Sequence, residues 1–231
     1  MISSKDKELE DLINKLQSTH IDPKEAIRLQ IKASRYITES PLDTPPATIG
    51  GFDLSFPNNA RAAAIVIESS TMETIEEILE DMPVAMPYIP GLLAFREAPV
   101  ILRAYNSLKA KPDVIMIDGH GRAHPRRFGI ACHVGLILRK PSIGVAKSLL
   151  IGNAEEPGDN KGDWKPITLG NEVLGAAVRT KPGVKPVYVS VGNMISLEQA
   201  VELVLKMTTK YRLPEPTRRA HMLASRYKNT R

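Results

Sequence analysis

Asp118 closes a short apolar run, Val114–Ile117, and within nine residues it is followed by His120, Arg122, His124, Arg126 and Arg127. Gly119 and Gly121 break the chain on either side of His120. A carboxylate beside cationic and imidazole groups suits a metal ion and a phosphate. A strand-end aspartate capping a turn, with basic residues on a solvated loop, is the alternative that this stretch leaves open. Asp53 lies in an alternating segment, Ile49–Phe56. Glu97 falls close to the apolar side of a helical pattern, where a carboxylate is costly unless paired or bound to a metal. Snorkelling to the surface is the other reading of Glu97. If the strands that carry Asp53 and Asp118 are neighbours, the two acids meet near the centre of a sheet. Hard oxygen ligands of this kind suit Mg²⁺ or Mn²⁺, which bind substrate phosphate, activate water and offset charge on a phosphodiester.

The elements that must position these acids alternate between helix and strand. Leu9, Leu12, Ile13 and Leu16 have helical spacing, and Asp22–Pro23 reads as the cap and first turn of a second helix reaching about Thr38. These two helices carry no chemistry and are expected to cover one face of a sheet. Pro41–Pro46 reads as a linker. Ile49–Phe56 and Ala60–Ile67, separated by the turn signal Pro57-Asn58-Asn59, read as a hairpin. Glu68–Met82 is ambiguous, because Ile75, Ile78, Leu79 and Met82 are spaced as on a helix while Thr71–Ile75 could begin a strand. A helix is expected from about Leu92 to Leu108. Strand Val114–Ile117 and helix Phe128–Leu138 follow, then a short strand, Ile143–Ala146. Residues 151–165 are polar and read as a mobile surface loop. Val173–Val178 and Pro186–Val191 are two more strands. Ser196 with Gln199 forms a capping-box pattern, and residues 213–231 carry a basic C-terminal helix. The fold class is therefore α/β within a single domain, 1–231. Its mixed sheet is antiparallel over the first three strands and parallel after them, which suits a ribonuclease-H-like sheet flanked by helices.

Charge distribution agrees with an anionic partner. The net charge is +5 with a pI of about 9.3. His120–Lys147 holds six Lys/Arg and no acid, and Lys206–Arg231 holds eight Lys/Arg and one acid, Glu215. Clustered positive charge is the electrostatic footprint of nucleic-acid binding; a solvated basic tail is the alternative for the C-terminal block. No apolar run approaches the roughly 20 residues that a membrane span needs. The charged N-terminus reads as free of a secretory leader. Cys132, the single cysteine, sits in an apolar setting, which points to a buried thiol and the cytoplasm. The absence of a heptad pattern leads to the expectation of a monomer.

From about residue 24 to 225 the chain resembles the endonuclease V family, the deoxyinosine 3′-endonucleases. Five separated stretches carry the resemblance: GFDLSF at 51–56, PYIPGLLAFREAP at 87–99, DGHGRAHPRRFGIACHVG at 118–135, IGVAKS at 143–148 and LPEPTRRAH at 213–221. Phe56, His120 and Cys132 depart from the family pattern without removing a ligand. The resemblance implies a ribonuclease-H-like fold in which 68–82 contains the third strand. It implies that Asp53, Glu97 and Asp118 bind Mg²⁺, with Mn²⁺ able to substitute. His221 then matches a histidine beside the metal, Lys147 a lysine near the scissile phosphate, and His124 a histidine of the same loop. Pro87, Tyr88, Ile89 and Pro90 match a wedge that holds strands apart. Gly91, Leu93, Gly129 and Ile130 match positions around a flipped base.

Physical chemistry fits these implied roles. Reading a damaged base requires taking it out of the stack, and a rigid aromatic or apolar wedge can fill the gap. Hypoxanthine differs from adenine by a carbonyl in place of the exocyclic amine and by a proton on N1, differences that backbone amides and carbonyls can read. The expected activity is hydrolysis of the second phosphodiester 3′ to deoxyinosine in DNA by metal-activated water, leaving 5′-phosphate and 3′-hydroxyl ends. An endoribonuclease acting on inosine in RNA and a lesion-binding protein that does not cut are the rival readings.

Overall fold

Val, Ile and Ala dominate the middle of the chain, and they pair into a sheet whose central strands are dry on both faces. The computed structural model describes residues 4–56, 58–84 and 86–226. Pro57 of the expected turn and residues 227–231 of the expected C-terminal helix lie outside the described residues. In chain order the elements are α1 (Ser4–Leu16), α2 (Pro23–Ala33), β1 (Thr48–Ser55), β2 (Ala60–Glu68), β3 (Thr74–Met82), α3 (Leu93–Ser107), β4 (Val114–Ile117), α4 (Ile130–Leu138), β5 (Ser142–Ala146), β6 (Trp164–Leu169), β7 (Glu172–Val178), β8 (Val187–Asn193), α5 (Leu197–Lys206) and α6 (Glu215–Arg226). Among the described residues the strands form one sheet in the order β3-β2-β1-β4-β5-β8-β7-β6. This is a mixed α/β fold of the ribonuclease-H-like kind.

β1, β2 and β3 are antiparallel, and β1, β4 and β5 are parallel, as expected. Beyond β5 the direction alternates again: β8, β7 and β6 extend the sheet antiparallel. The chain dictates this, because only Gly170 and Asn171 separate β6 from β7, too few residues for a parallel crossover. β6 itself begins at Trp164, inside the stretch expected to be loop. It buries only Ile167 and contains Pro166, so its apolar signal is faint, and an edge strand tolerates proline.

β3 is a strand despite its helical spacing. It pairs with β2 along its length, and its acids suit an exposed edge. Glu76 accepts from the backbone of Lys109 and Ala110, and Glu80 from Arg103 and Ser107, so this edge is tied to α3 and the loop after it.

α3 and α4 cover one face of the sheet, while α5 and α6 cover the other. α1 and α2 form a further layer. Leu12, Leu16, Ala26 and Leu29 pack on Phe95 of α3 and on Phe128, Cys132 and Leu136 of the α4 segment, not on the strands. The expectation that these helices cover the sheet is corrected here. α4 is apolar on every side, so its outer face needs its own cover. Cys132 is buried in this layer, and burial pushes its thiol up to about 12. Ser196 caps α5, but the Gln199 side chain does not close a capping box; it holds both the N–H and the carbonyl of Leu42, docking the proline-rich linker on the helix.

Candidate active site

Two acids meet because two strands end together. Phe52 of β1 lies opposite Ile117 of β4, and the Asp118 N–H donates to the Phe52 carbonyl at 3.1 Å. In-register residues of parallel neighbours point to the same face, so Asp53 and Asp118 come side by side at the carboxyl ends of their strands. Asp53 is only 6% exposed. Burial raises its pKa, the neighbouring Asp118 carboxylate raises it further, and His221 opposes the shift.

α6 brings His221 over this pair. Its approach depends on Gly51, where an added Cβ would fall 2.1 Å from the carbonyl carbon and oxygen of Pro216. Glu215 anchors the start of the helix, accepting from Arg218 at 2.6 Å, Thr209 at 2.9 Å and Arg219 at 3.0 Å. Burial acts to raise the Glu215 pKa, but these hydrogen bonds outweigh it and hold the group at about 2. His221 Nδ1 then lies 2.8 Å from Asp53 Oδ2. Asp53, Asp118 and His221 offer ligand atoms within 4.8 Å of one another.

Glu97 faces the same space from α3. Burial pushes it up to about 7; Arg96 opposes the shift, and the charges of Asp53 and Asp118 add to it. Glu97 does not snorkel to solvent, because it lines the cavity that Asp118 also lines. Three carboxylates crowded into a poorly solvated site lack positive charge between them. A hard divalent cation supplies that charge, so the donor set fits one. Part of the deficit is met by Lys147, which follows β5 and pairs with Asp118. Lys147 is placed in turn by Arg212, which donates to its carbonyl and to that of Pro186.

The cavity beside the acids has a volume of about 290 Å³. Tyr88, Pro90, Gly91, Leu93, Ala94 and Glu97 line it from the segment that leads into α3; Asp118, Gly119, His120, His124, Gly129 and Ile130 line it from the segment between β4 and α4, and Leu150 lines it as well. Leu93 and Ile130 are the first residues of α3 and α4, so two helix starts, whose amides have no intrahelical partner, face one cavity. The expected base-pocket residues thus come together. The expected wedge divides. Tyr88 and Pro90 face the cavity, and Tyr88 is 66% exposed, whereas Pro87 and Ile89 face a second groove against Thr19, Ile21 and Pro23.

The basic loop is largely occupied with its own structure. Arg122 pairs with Glu39 and Glu172, Arg127 pairs with Glu172, and Arg126 binds Gln30 and the Gly91 carbonyl. His124 is buried, and its Nδ1 accepts the Arg126 N–H at 3.2 Å. Burial, followed by Arg126, lowers His124 to about 4, so the ring is neutral near pH 7. Gln30, Gly51, Glu172 and Arg212 were not legible as site residues, because their partners are remote in sequence.

The family model for endonuclease V matches residues 30–222. The endonuclease V of Dictyoglomus thermophilum is 47% identical over 206 residues, covering 89% of this chain and 90% of that one. The crystal structure of endonuclease V from Streptomyces avermitilis superposes with a TM-score of 0.86 at 39% identity, covering 90% and 93% of the two chains. The endonuclease V of Ciona intestinalis, crystallised with a 23-mer DNA containing an inosine followed by a ribo-adenosine, superposes with a TM-score of 0.77 at 32% identity, covering 88% and 97%. With a family model matched from residue 30 to 222, a relative 47% identical over most of both chains and a solved relative of the same fold, this chain belongs to the endonuclease V family.

Proposed function

We propose that this chain is a repair endonuclease that takes deoxyinosine out of a DNA strand and hydrolyses the second phosphodiester 3′ to it. The observation that carries this reading is the shared wall. Glu97 and Asp118 line the cavity, and Asp118 also belongs to the cluster with Asp53 and His221. Reading a base and cutting a nearby bond then occur on one rigid surface.

Asp53, Asp118 and Glu97 would hold Mg²⁺, or Mn²⁺, with His221 beside them. A divalent cation in that position supplies polarisation of water and stabilisation of phosphate charge. Hydrolysis adds oxygen to phosphorus, breaks the bond to the 3′ oxygen and delivers a proton to it, giving 5′-phosphate and 3′-hydroxyl ends. His221, held by Asp53, orients water. Lys147, half exposed and paired with Asp118 in the free protein, turns to the phosphate and offsets charge as it develops. His124, neutral and fixed to backbone, shapes the pocket wall. Tyr88 fills the gap left in the stack. Amides at the starts of α3 and α4, at Leu93 and Ile130, meet the hypoxanthine carbonyl, while Gly91 and Gly129 let Arg126 and the His120 backbone pack closely behind those segments.

A second reading follows from the Ciona intestinalis relative, whose crystallised oligonucleotide carries a ribonucleotide after the inosine: inosine in RNA as the substrate. Matched duplexes with one deoxyinosine or one inosine in RNA, assayed with Mg²⁺ and with EDTA, separate the two. A metal-dependent nick near deoxyinosine supports DNA repair, and preferential RNA cutting moves the substrate to RNA. Asp118→Ala is expected to abolish cutting while retaining DNA binding; undiminished cutting would remove the assignment.

A further inference from the structure

Gln30 of α2 is wholly buried, with 0% of its surface exposed, beside an apolar layer that includes Leu29, Leu92, Phe95 and Phe128. Its amide spans two segments far apart in sequence. Nε2 donates to the Gly91 carbonyl at 3.1 Å and to the Phe128 carbonyl at 3.3 Å. Oε1 accepts from Arg126, and the same guanidinium donates to the Gly91 carbonyl. Two carbonyls on one side and a guanidinium on the other admit only one orientation of the amide. Gly91 stands on one wall of the cavity, and Phe128 precedes Gly129 and Ile130 on the other.

We propose that Gln30 is a positioning residue that sets the separation of the two cavity walls and thereby the selectivity for the base. This inference rests on the reading of the cavity as the base pocket. The carbonyl of Gly91 is held from behind by Gln30 and Arg126, and the next amide, of Leu92, is held by the Ile89 carbonyl at 3.0 Å. The Gly91 peptide is therefore fixed at both ends. A backbone reader discriminates only while its amides stay still, because a wall that shifts relaxes the penalty for an unmatched base. The N-terminal helices thus act on recognition without touching the base.

Two substitutions test this. Gln30→Met keeps the volume and removes all the hydrogen bonds. Gln30→Glu keeps the pairing with Arg126 and removes both donations to carbonyls. Affinity for duplexes with deoxyinosine or adenine at one position is measured in EDTA, so that no cutting contributes, together with Tm. Each variant is expected to lose about tenfold of the inosine-over-adenine preference, the loss typical of one or two buried hydrogen bonds, while binding to undamaged DNA is unchanged. An unchanged preference in Gln30→Glu with an intact fold overturns the proposal, as does a fall in Tm without any change in preference in either variant. Leu93→Trp, which fills the cavity, serves as the companion. If it abolishes the preference and Gln30→Glu does not, the pocket reading stands and the clamp fails; if it has no effect, the pocket reading itself fails.

Discussion

Gly51 and Pro216 are in backbone contact: a single added carbon on Gly51 would fall 2.1 Å from the Pro216 carbonyl. The contact seats α6 on β1 two residues before Asp53, and so fixes His221 over that acid. Gly51→Ala is expected to push the helix off the strand. A displacement of about 1 Å in a catalytic group costs on the order of 100-fold in rate. Single-turnover cutting with saturating Mg²⁺ measures the loss, and circular dichroism establishes that the protein is folded. Wild-type rates in the variant would mean that α6 does not position His221 for the reaction.

The raised acids make a pH prediction with a definite sign. Glu97 moves from an ordinary value of 4.5 up to about 7, and Asp53 is raised as well. Between those values the metal-free folded protein binds more protons than the unfolded chain. The contribution of Glu97 to stability is fully present below 4.5 and is lost as pH rises through about 7. A divalent cation binds the deprotonated carboxylates, so its affinity rises across the same window. In EDTA the Tm should fall as pH climbs through that window, and the gain in Tm on adding Mg²⁺ should grow. A gain that is independent of pH would show that these carboxylates do not hold the ion.

Tyr88 lines the cavity and is 66% exposed, which is an unusual setting for a large ring. Tyr88→Ala should weaken binding to inosine DNA by about tenfold, a stacking-sized loss. Tm should stay the same, because little buried area is removed. An unchanged affinity would remove the wedge role.

Much of this was legible in the sequence. Acids at strand ends are visible because the strands are short and apolar, and the parallel pairing of β1 with β4 then brings Asp53 to Asp118. Strands such as β3 and β6 were obscured for a physical reason. An edge strand buries little, so Glu76 and Pro166 occupy it freely and the apolar pattern fades. The cations of Arg122, Arg126 and Arg127 looked like a phosphate site because Glu172, Glu39 and Gln30, which occupy them, lie far off in the chain. Gln199 completed a local motif on paper and joined a distant loop in the fold.

α3 has a consequence for any attempt to alter the reaction. Leu93 on the pocket wall and Glu97, which feels the charges of Asp53 and Asp118, sit four residues apart, one turn of one helix, with a rise of about 6 Å. On the proposed function that turn is a ruler. The offset between the base that is read and the bond that is cut is then set by the hydrogen-bonded geometry of one helical turn. Surface substitutions can tune speed or tolerance for other lesions, but moving the nick by one nucleotide would require adding to or removing from the helix itself.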